Sequence, residues 1–190
     1  MWQDWFFRRV NDAVSETLGR LPESYVVLND ILLPEGRVAL DYVVAGPTGL
    51  FAIEKNDWCG EVKCKGDDWF VSRKRVASPG RPAQRKAAAL RRTLVNMTYD
   101  GEHKIPAVSA ILVFIDPEVR IGISEPAVPA MKVEELASFI MHYKIAEMED
   151  EDHETLVRHL GSFPSRPKRK GFFGASAAES QRGFAPRPLG

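Results

Sequence analysis

The sequence has few cysteines and no excess of charge of either sign. Its 190 residues include two cysteines, and its 26 basic residues are balanced by 26 acidic ones. Two thiols are too few for a disulfide scaffold or a four-cysteine zinc site, so we expect a reducing compartment. The formal net charge is +0, so any attraction to nucleic acid must come from a local cluster of cations.

The sequence also lacks a membrane span, a secretory signal and a phosphate-binding loop. The longest nearly continuous apolar stretch, residues 107–115, is far shorter than the roughly 20 residues that cross a bilayer. Residues 1–9 show no apolar core with a small-residue cleavage site, and the pattern G-x-x-x-x-G-K is absent. We therefore expect a cytoplasmic protein with no membrane contact and no nucleotide-driven chemistry.

The composition is that of one globular domain followed by a tail. Apolar residues make up 44% of the chain and charged residues 27%, which is ordinary for a folded protein. We predict a domain over residues 1–162 and a disordered basic tail over 163–190, which is rich in Pro, Gly, Ser and Arg. The cations of this tail either add affinity for phosphate backbones or only keep the chain soluble.

The spacing of apolar residues predicts a mixture of helices and strands. An amphipathic helix is expected over residues 2–21, and five short strands over 25–33, 38–45, 50–54, 61–65 and 69–73. A second amphipathic helix (83–97) then precedes a buried strand (107–115), short strands (120–123 and 127–130) and two helices (133–143 and 151–160). This order predicts an α/β or α+β fold with a mixed β-sheet flanked by helices.

Two acidic residues in consecutive predicted strands are the first candidates for chemistry. Asp41 has Val43 and Val44 beside it, which implies burial on at least one face, and Glu54 ends the next strand. If the two strands are antiparallel, both carboxylates can meet at one edge of the sheet and hold Mg²⁺ with waters and phosphate oxygens. Alternatively, Asp41 holds a turn or pairs with a cation, and Glu54 is a solvated strand end.

The sequence around these acids resembles a known family. Residues 41–54 read Asp-x-Val-Val-x-Gly-Pro-x-Gly-x-Phe-x-Ile-Glu, after the stretch Tyr-Val-Val-Leu-Asn-Asp-Ile-Leu-Leu-Pro at 25–34 and before Trp58-Cys-Gly60. This resembles the nuclease-related domain (NERD) family, over roughly residues 10 to 140. The resemblance implies a restriction-endonuclease-like core, with Asp41 and Glu54 as metal ligands and a Lys two positions after the Glu for magnesium-dependent phosphodiester hydrolysis.

The chain departs from that family pattern at several positions. Asn56 stands where the catalytic lysine is expected, and Lys55 lies one residue early, so the alternation of a strand would point it away from the site unless a bulge turns it back. Asn11 replaces an expected Glu of the first helix, and Pro82 replaces an expected Gln of the second, with Gln84 nearby. Lys55 and Asn56 are therefore the candidates for the missing lysine function.

Cations concentrate between residues 63 and 92, beside Trp58 and Trp69. Such a stretch is either a solvated face or a surface that holds phosphates near the acids, with aromatic rings for stacking. Lys65, Lys86 and Arg91 belong to it. The predicted nucleic-acid contacts are Lys63, Arg73, Lys74, Arg75, Arg81, Gln84, Arg85 and Arg92.

Two functional hypotheses follow. In the first, the protein is a nuclease-related domain that binds nucleic acid, DNA ahead of RNA, and cleaves it with Mg²⁺ held by Asp41 and Glu54. In the second, the protein is an inactive module that keeps the fold and binds nucleic acid or a partner. Asn11, Asn56 and Pro82 favour the second hypothesis.

Overall fold

The computed structural model describes residues 13–34, 38–98, 105–143 and 150–164. In chain order the elements are α1 (residues 13–18), β1 (Val26–Leu32), β2 (Ala39–Gly46), β3 (Gly49–Asn56), β4 (Glu61–Lys65), β5 (Asp68–Val71), β6 (Lys74–Val76), α2 (Gly80–Met97), β7 (Val108–Phe114), β8 (Arg120–Ser124), β9 (Ala130–Lys132), α3 (Val133–His142) and α4 (Asp150–Gly161). The predicted mixed α+β class is confirmed.

The larger sheet has five strands in the order β1-β2-β3-β7-β9. Strands β1 to β3 form an antiparallel meander, whereas β7 joins β3 in parallel through the crossover helix α2. One face of this sheet packs on α2 and α4 and the other on α1 and α3. The continuous apolar run of β7 is explained by this double cover, because a strand buried on both faces needs no polar alternation.

A second sheet has four strands in the order β6-β5-β4-β8. Trp69 of β5 is 1% exposed and contacts Trp58 and Phe114, with ring centroids 6.0 and 6.2 Å away. Phe114 belongs to β7, so this aromatic cluster ties the smaller sheet to the larger one. Such aromatic clusters bury large areas and stabilise the contact between elements.

Strand β6 was missing from the sequence prediction. The turn that joins β5 to β6 uses Ser72 and Arg73 with φ of 47° and 69°. Tight hairpin turns with positive φ normally show Asn or Gly. Since neither residue stands here, no turn signal marks this position, and the pattern predicts a single strand through Arg73.

Helix α2 begins at Gly80, before the predicted start at residue 83, and Pro82 therefore lies in its first turn. Proline is tolerated there because the first N–H groups of a helix have no partner within the helix. The predicted helix over residues 2–21 is seen at 13–18, and residues 1–12, including Asn11, lie outside the described residues.

The folded body extends beyond the predicted boundary at residue 162. Phe163 is 7% exposed and packs in the core, and the carbonyl of Pro164 accepts a hydrogen bond of 2.9 Å from the N–H of Leu32. The remaining predicted tail, 165–190, lies outside the described residues. No helix within the described segments has the length and apolar character that a membrane crossing requires.

Candidate active site

Asp41 and Glu54 lie on the same face of neighbouring strands. The recorded register of β2 and β3 pairs Tyr42 with Ile53, and one further step along it brings Asp41 opposite Glu54. Side chains alternate along a strand, so both acids share the face of Val43, which packs on the α2 side of the sheet. The predicted meeting of two carboxylates on antiparallel strands is therefore present in the fold.

Glu54 is a buried carboxylate with one oxygen unused. Its side chain is 12% exposed, and its Oε2 accepts a hydrogen bond from the ammonium of Lys86 in α2. Its Oε1 is buried and has no hydrogen-bond partner among the described residues. A buried polar atom without a partner is costly, so this oxygen is a candidate ligand for a bound cation.

The burial of Glu54 and its charged neighbours shift its pKa. Burial raises the pKa of Glu54 above its ordinary value of 4.5, the hydrogen bond and charge of Lys86 lower it, and the charge of Asp41 raises it again. Burial is the largest of these effects, so the pKa remains raised. Two neighbouring carboxylates with one raised pKa are a common feature of sites that bind a cation.

Asp41 is held in place by the backbone of β3. Its Oδ2 accepts a hydrogen bond of 2.9 Å from the N–H of Lys55, and its side chain is only partly buried. The main chain of Lys55 thus orients one acid of the pair. This contact fixes the carboxylate of Asp41 beside the strand position that Glu54 occupies.

The side chain of Lys55 lies on the opposite face of the sheet. Its Nζ is 5.6 Å from the ring centroid of Tyr42, whose side chain belongs to the α1 and α3 side. The register between β3 and β7 runs without interruption from Leu50 to Asn56, so no bulge turns Lys55 back. The structure therefore places the ammonium of Lys55 away from the two acids.

Asn56 shares the face of Glu54 but is already engaged. It is 9% exposed, and its Oδ1 accepts a hydrogen bond of 2.9 Å from the N–H of Trp58. This bond stabilises the chain where it leaves β3. A neutral amide in this role supplies no positive charge to the site.

A cation does reach the acids, from α2 rather than from β3. Lys86 was placed in the basic stretch by the sequence, but nothing there indicated its contact with Glu54. Position 86 follows Pro82 by four residues, so it lies on the same helical face one turn later. Gln84 points elsewhere, since its Nε2 donates a hydrogen bond of 3.2 Å to the carbonyl of Ala127.

The other predicted contacts fall into two groups. Three cations are paired with acids, namely Lys63 with Glu61, Arg75 with Asp68 and Arg81 with Asp67. Four others form no ion pair with any described residue: Arg73, Lys74, Arg85 and Arg92. Arg85 and Arg92 are both exposed and seven residues apart in α2, so they share one face of the helix. This face of α2 is therefore a part of the basic stretch whose charges are not neutralised by described acids.

The donor set has a definite chemical character. In the segments that the structure describes, no three or more His, Cys, Asp or Glu residues form a group that could hold a metal ion. The pair Asp41 and Glu54 offers carboxylate oxygens alone. Mg²⁺ takes one or two carboxylates and completes its shell with waters and phosphate oxygens, so a two-acid set fits it, whereas a structural zinc site needs four ligands.

Comparison with known proteins identifies the family of this chain. No curated protein and no solved structure matches the chain. The family model described as nuclease-related domain, NERD, matches residues 7–115, which is more than half of the chain. The matched segment contains β1 to β7 with α2, and hence Asp41, Glu54 and Lys86. The chain therefore belongs to the nuclease-related domain family, whose general context is the restriction-endonuclease-like superfamily.

Proposed function

We propose that the protein binds nucleic acid and hydrolyses phosphodiester bonds with Mg²⁺ held by Asp41 and Glu54. The observation that carries this proposal is the pair of carboxylates on one face of β2 and β3, with the buried Oε1 of Glu54 left without a partner. Membership of the nuclease-related family supports the same chemistry.

Each residue of the pair has a separate task in this proposal. Asp41, fixed by the N–H of Lys55, presents a partly exposed carboxylate, and Glu54 supplies a buried oxygen behind it. Magnesium bound there supplies positive charge and Lewis acidity to a phosphate group. Because Glu54 is buried, its carboxylate acts in a medium of reduced dielectric, where its charge interacts more strongly with a bound ion.

The exposed face of α2 supplies the binding surface. Arg85 and Arg92 project from the helix that also carries Lys86, and they form no ion pair with any described residue. Cations on such a face hold phosphate groups of any sequence, and their affinity falls as salt rises. We propose DNA as the substrate to test first and RNA second.

The test is a cleavage assay with purified protein. Labelled duplex DNA, single-stranded DNA and RNA are incubated with Mg²⁺, Mn²⁺ or EDTA. Wild type is compared with Asp41→Asn and with Asp57→Asn, which makes the same chemical change on an exposed side chain beyond the site. We expect cleavage that needs metal, is lost in Asp41→Asn and is kept in Asp57→Asn.

A second candidate function is a binding module that does not cleave. It is favoured by Asn56, which occupies the expected lysine position and whose Oδ1 is engaged by Trp58. The same assay separates the two functions. Binding of nucleic acid without cleavage in either metal, and with no effect of Asp41→Asn, would support the second function and contradict the first.

A further inference from the structure

The contact between Lys86 and Glu54 is the one cation–carboxylate pair of the described residues in which the carboxylate is buried. The exposed side-chain fractions are 34% for Lys86 and 12% for Glu54, whereas both partners of the other four pairs are at least 35% exposed. A carboxylate that is taken out of water needs a partner, yet such pairs rarely add net stability over an apolar replacement. A role in chemistry is therefore a better explanation for this pair than stability alone.

The packing of α2 brings the ammonium to the site. Ala83, Ala87 and Leu90 of α2 are buried against the same face of the sheet that carries Asp41 and Glu54. Lys86 lies next to this buried stripe and is only partly covered, so its long stem can lie along the sheet while its Nζ reaches the end of β3. The small alanines permit the close approach of helix and sheet that this reach requires.

The chain offers no equivalent charge at the expected place. Position 56 holds a neutral Asn whose Oδ1 is already used, and the Nζ of Lys55 lies over Tyr42 on the other face. Lys86 therefore supplies, from a helix, a positive charge beside the acid pair that β3 does not supply.

We infer that Lys86 is the catalytic cation of this site and replaces the lysine that position 56 lacks. The inference rests on the proposed function and adds one residue to it. In the state described, the ammonium pairs with Glu54 Oε2, and when a phosphodiester occupies the site one of its N–H groups donates to a non-bridging phosphate oxygen. The charge of Lys86 then offsets the negative charge that grows on the phosphate during attack.

The reaction balances without a proton from Lys86. The oxygen of a water molecule forms a bond to phosphorus, and the bond between phosphorus and the leaving oxygen breaks. One proton of the water passes through solvent to the leaving oxygen, which becomes a hydroxyl group, and the other product is a phosphate monoester. Lys86 remains an ammonium throughout and acts through its charge and its hydrogen bonds.

The test uses the full chain and four variants. Lys86→Gln removes the charge, Lys86→Arg keeps it, and Arg20→Gln makes the control change at an exposed cation that follows α1, outside the basic stretch. The fourth variant combines Lys86→Gln with Asn56→Lys, which returns a lysine to the face of Glu54. Cleavage rate, affinity for nucleic acid and Mn²⁺ dissociation constant are measured for each.

We expect Lys86→Gln to lose about 100-fold or more in cleavage rate, the effect typical of one removed charge-stabilising group. The added Asn56→Lys should restore a large part of this loss, Lys86→Arg should keep more activity than Lys86→Gln, and Arg20→Gln should behave as wild type. Mn²⁺ should bind Lys86→Gln more tightly than wild type, because the ammonium no longer competes for Glu54 Oε2.

Each contrary result has its own meaning. Cleavage by Lys86→Gln at the wild-type rate would overturn the inference and leave the proposed function in place. Weaker Mn²⁺ binding in Lys86→Gln, with no recovery from Asn56→Lys, would show that Lys86 only supports the structure and would also overturn the inference. A wild-type chain that binds Mn²⁺ through Asp41 but cleaves nothing would reject the proposed function and the inference together.

Discussion

The ion pair of Glu54 and Lys86 can be tested by the stability of the protein, without any substrate. Three variants are needed: Lys86→Met, Glu54→Gln and the double variant. Lys86→Met keeps the apolar stem and leaves the carboxylate of Glu54 buried without its cation. Glu54→Gln removes the charge and leaves Lys86 beside a neutral amide.

The exposed fractions of the two side chains set the expected sizes. Breaking a fully buried pair costs about 3 to 5 kcal/mol and breaking an exposed pair costs about 0 to 1 kcal/mol. Glu54 is 12% exposed but Lys86 is 34% exposed, so part of the charge is screened by water and the pair falls between these limits. Lys86→Met should therefore lower the free energy of unfolding by about 2 kcal/mol.

Glu54→Gln should cost little or nothing. Burial keeps the pKa of Glu54 raised despite Lys86, so the folded protein holds the neutral form more readily than the unfolded chain does. The stranded ammonium of Lys86 is partly exposed and can be hydrated. The double variant should then recover most of the loss caused by Lys86→Met, with a coupling energy of about 1 to 2 kcal/mol.

Urea unfolding, followed by tryptophan fluorescence at neutral pH and moderate salt, gives all four free energies. A coupling energy below about 0.3 kcal/mol is within the usual error of additivity. That result, or a Lys86→Met variant no less stable than Glu54→Gln, would show that the two side chains do not interact in solution. Lys86 would then not be the cation of the site.

Three further predictions use other features of the structure. The pKa of Glu54 is raised above 4.5 in the folded protein, so the free energy of unfolding of wild type falls as pH rises from 4.5 through the folded pKa. The Gln of Glu54→Gln does not ionise, so this variant should become more stable relative to wild type over the same range. The expected difference is about 1.4 kcal/mol for each pH unit between 4.5 and the folded pKa. Urea unfolding from pH about 4.5 to about 8 checks this, and a difference that does not change with pH would contradict it. In Gly46→Ala the new Cβ would stand 2.1 Å from Cδ1 of Tyr25, so we expect the free energy of unfolding, measured by calorimetry, to fall by about 1 to 3 kcal/mol. In the control Gly122→Ala the nearest atom is 3.7 Å from the new Cβ, so little change is expected. The double variant Arg85→Glu, Arg92→Glu should weaken nucleic-acid binding and reduce the magnitude of the slope of log K against log salt concentration by about 2. Titrations at several salt concentrations measure this slope. An unchanged slope would exclude the α2 face as the phosphate contact.

Much of the fold could be predicted because its signals are local. The periods of α2, α3 and α4 and the short segments of β1 to β4, which are rich in Val, Ile and aromatic residues, each depend on a few neighbouring residues, and the run of β7 indicated a strand covered on both faces. Strand β6 could not be predicted, since Ser72 and Arg73 adopt positive φ without Gly or Asn. The start of α2 at Gly80 could not be predicted either, because Pro82 breaks a helix everywhere except in the first turn.

In the candidate site, too, the local sequence indicates some residues and only the tertiary fold shows the others. The motif of residues 41–54 was enough to indicate the acids, and the alternation of a strand was enough to question Lys55. The partner of Glu54 could not be predicted, because Lys86 lies 32 residues away and meets it only through the packing of α2 on the sheet. The sequence showed Lys86 as one of many cations, and the tertiary fold alone distinguishes it from Arg85 beside it.

Whether Asp41 and Glu54 hold a divalent metal ion can be measured directly. Crystals of wild type and of Asp41→Asn are soaked in Mn²⁺, and an anomalous difference map is calculated for each. We expect an anomalous peak between the carboxylates of Asp41 and Glu54 in wild type and none there in the variant. A map of wild type without a peak at these carboxylates, with Glu54 still paired to Lys86, would reject the proposed metal site.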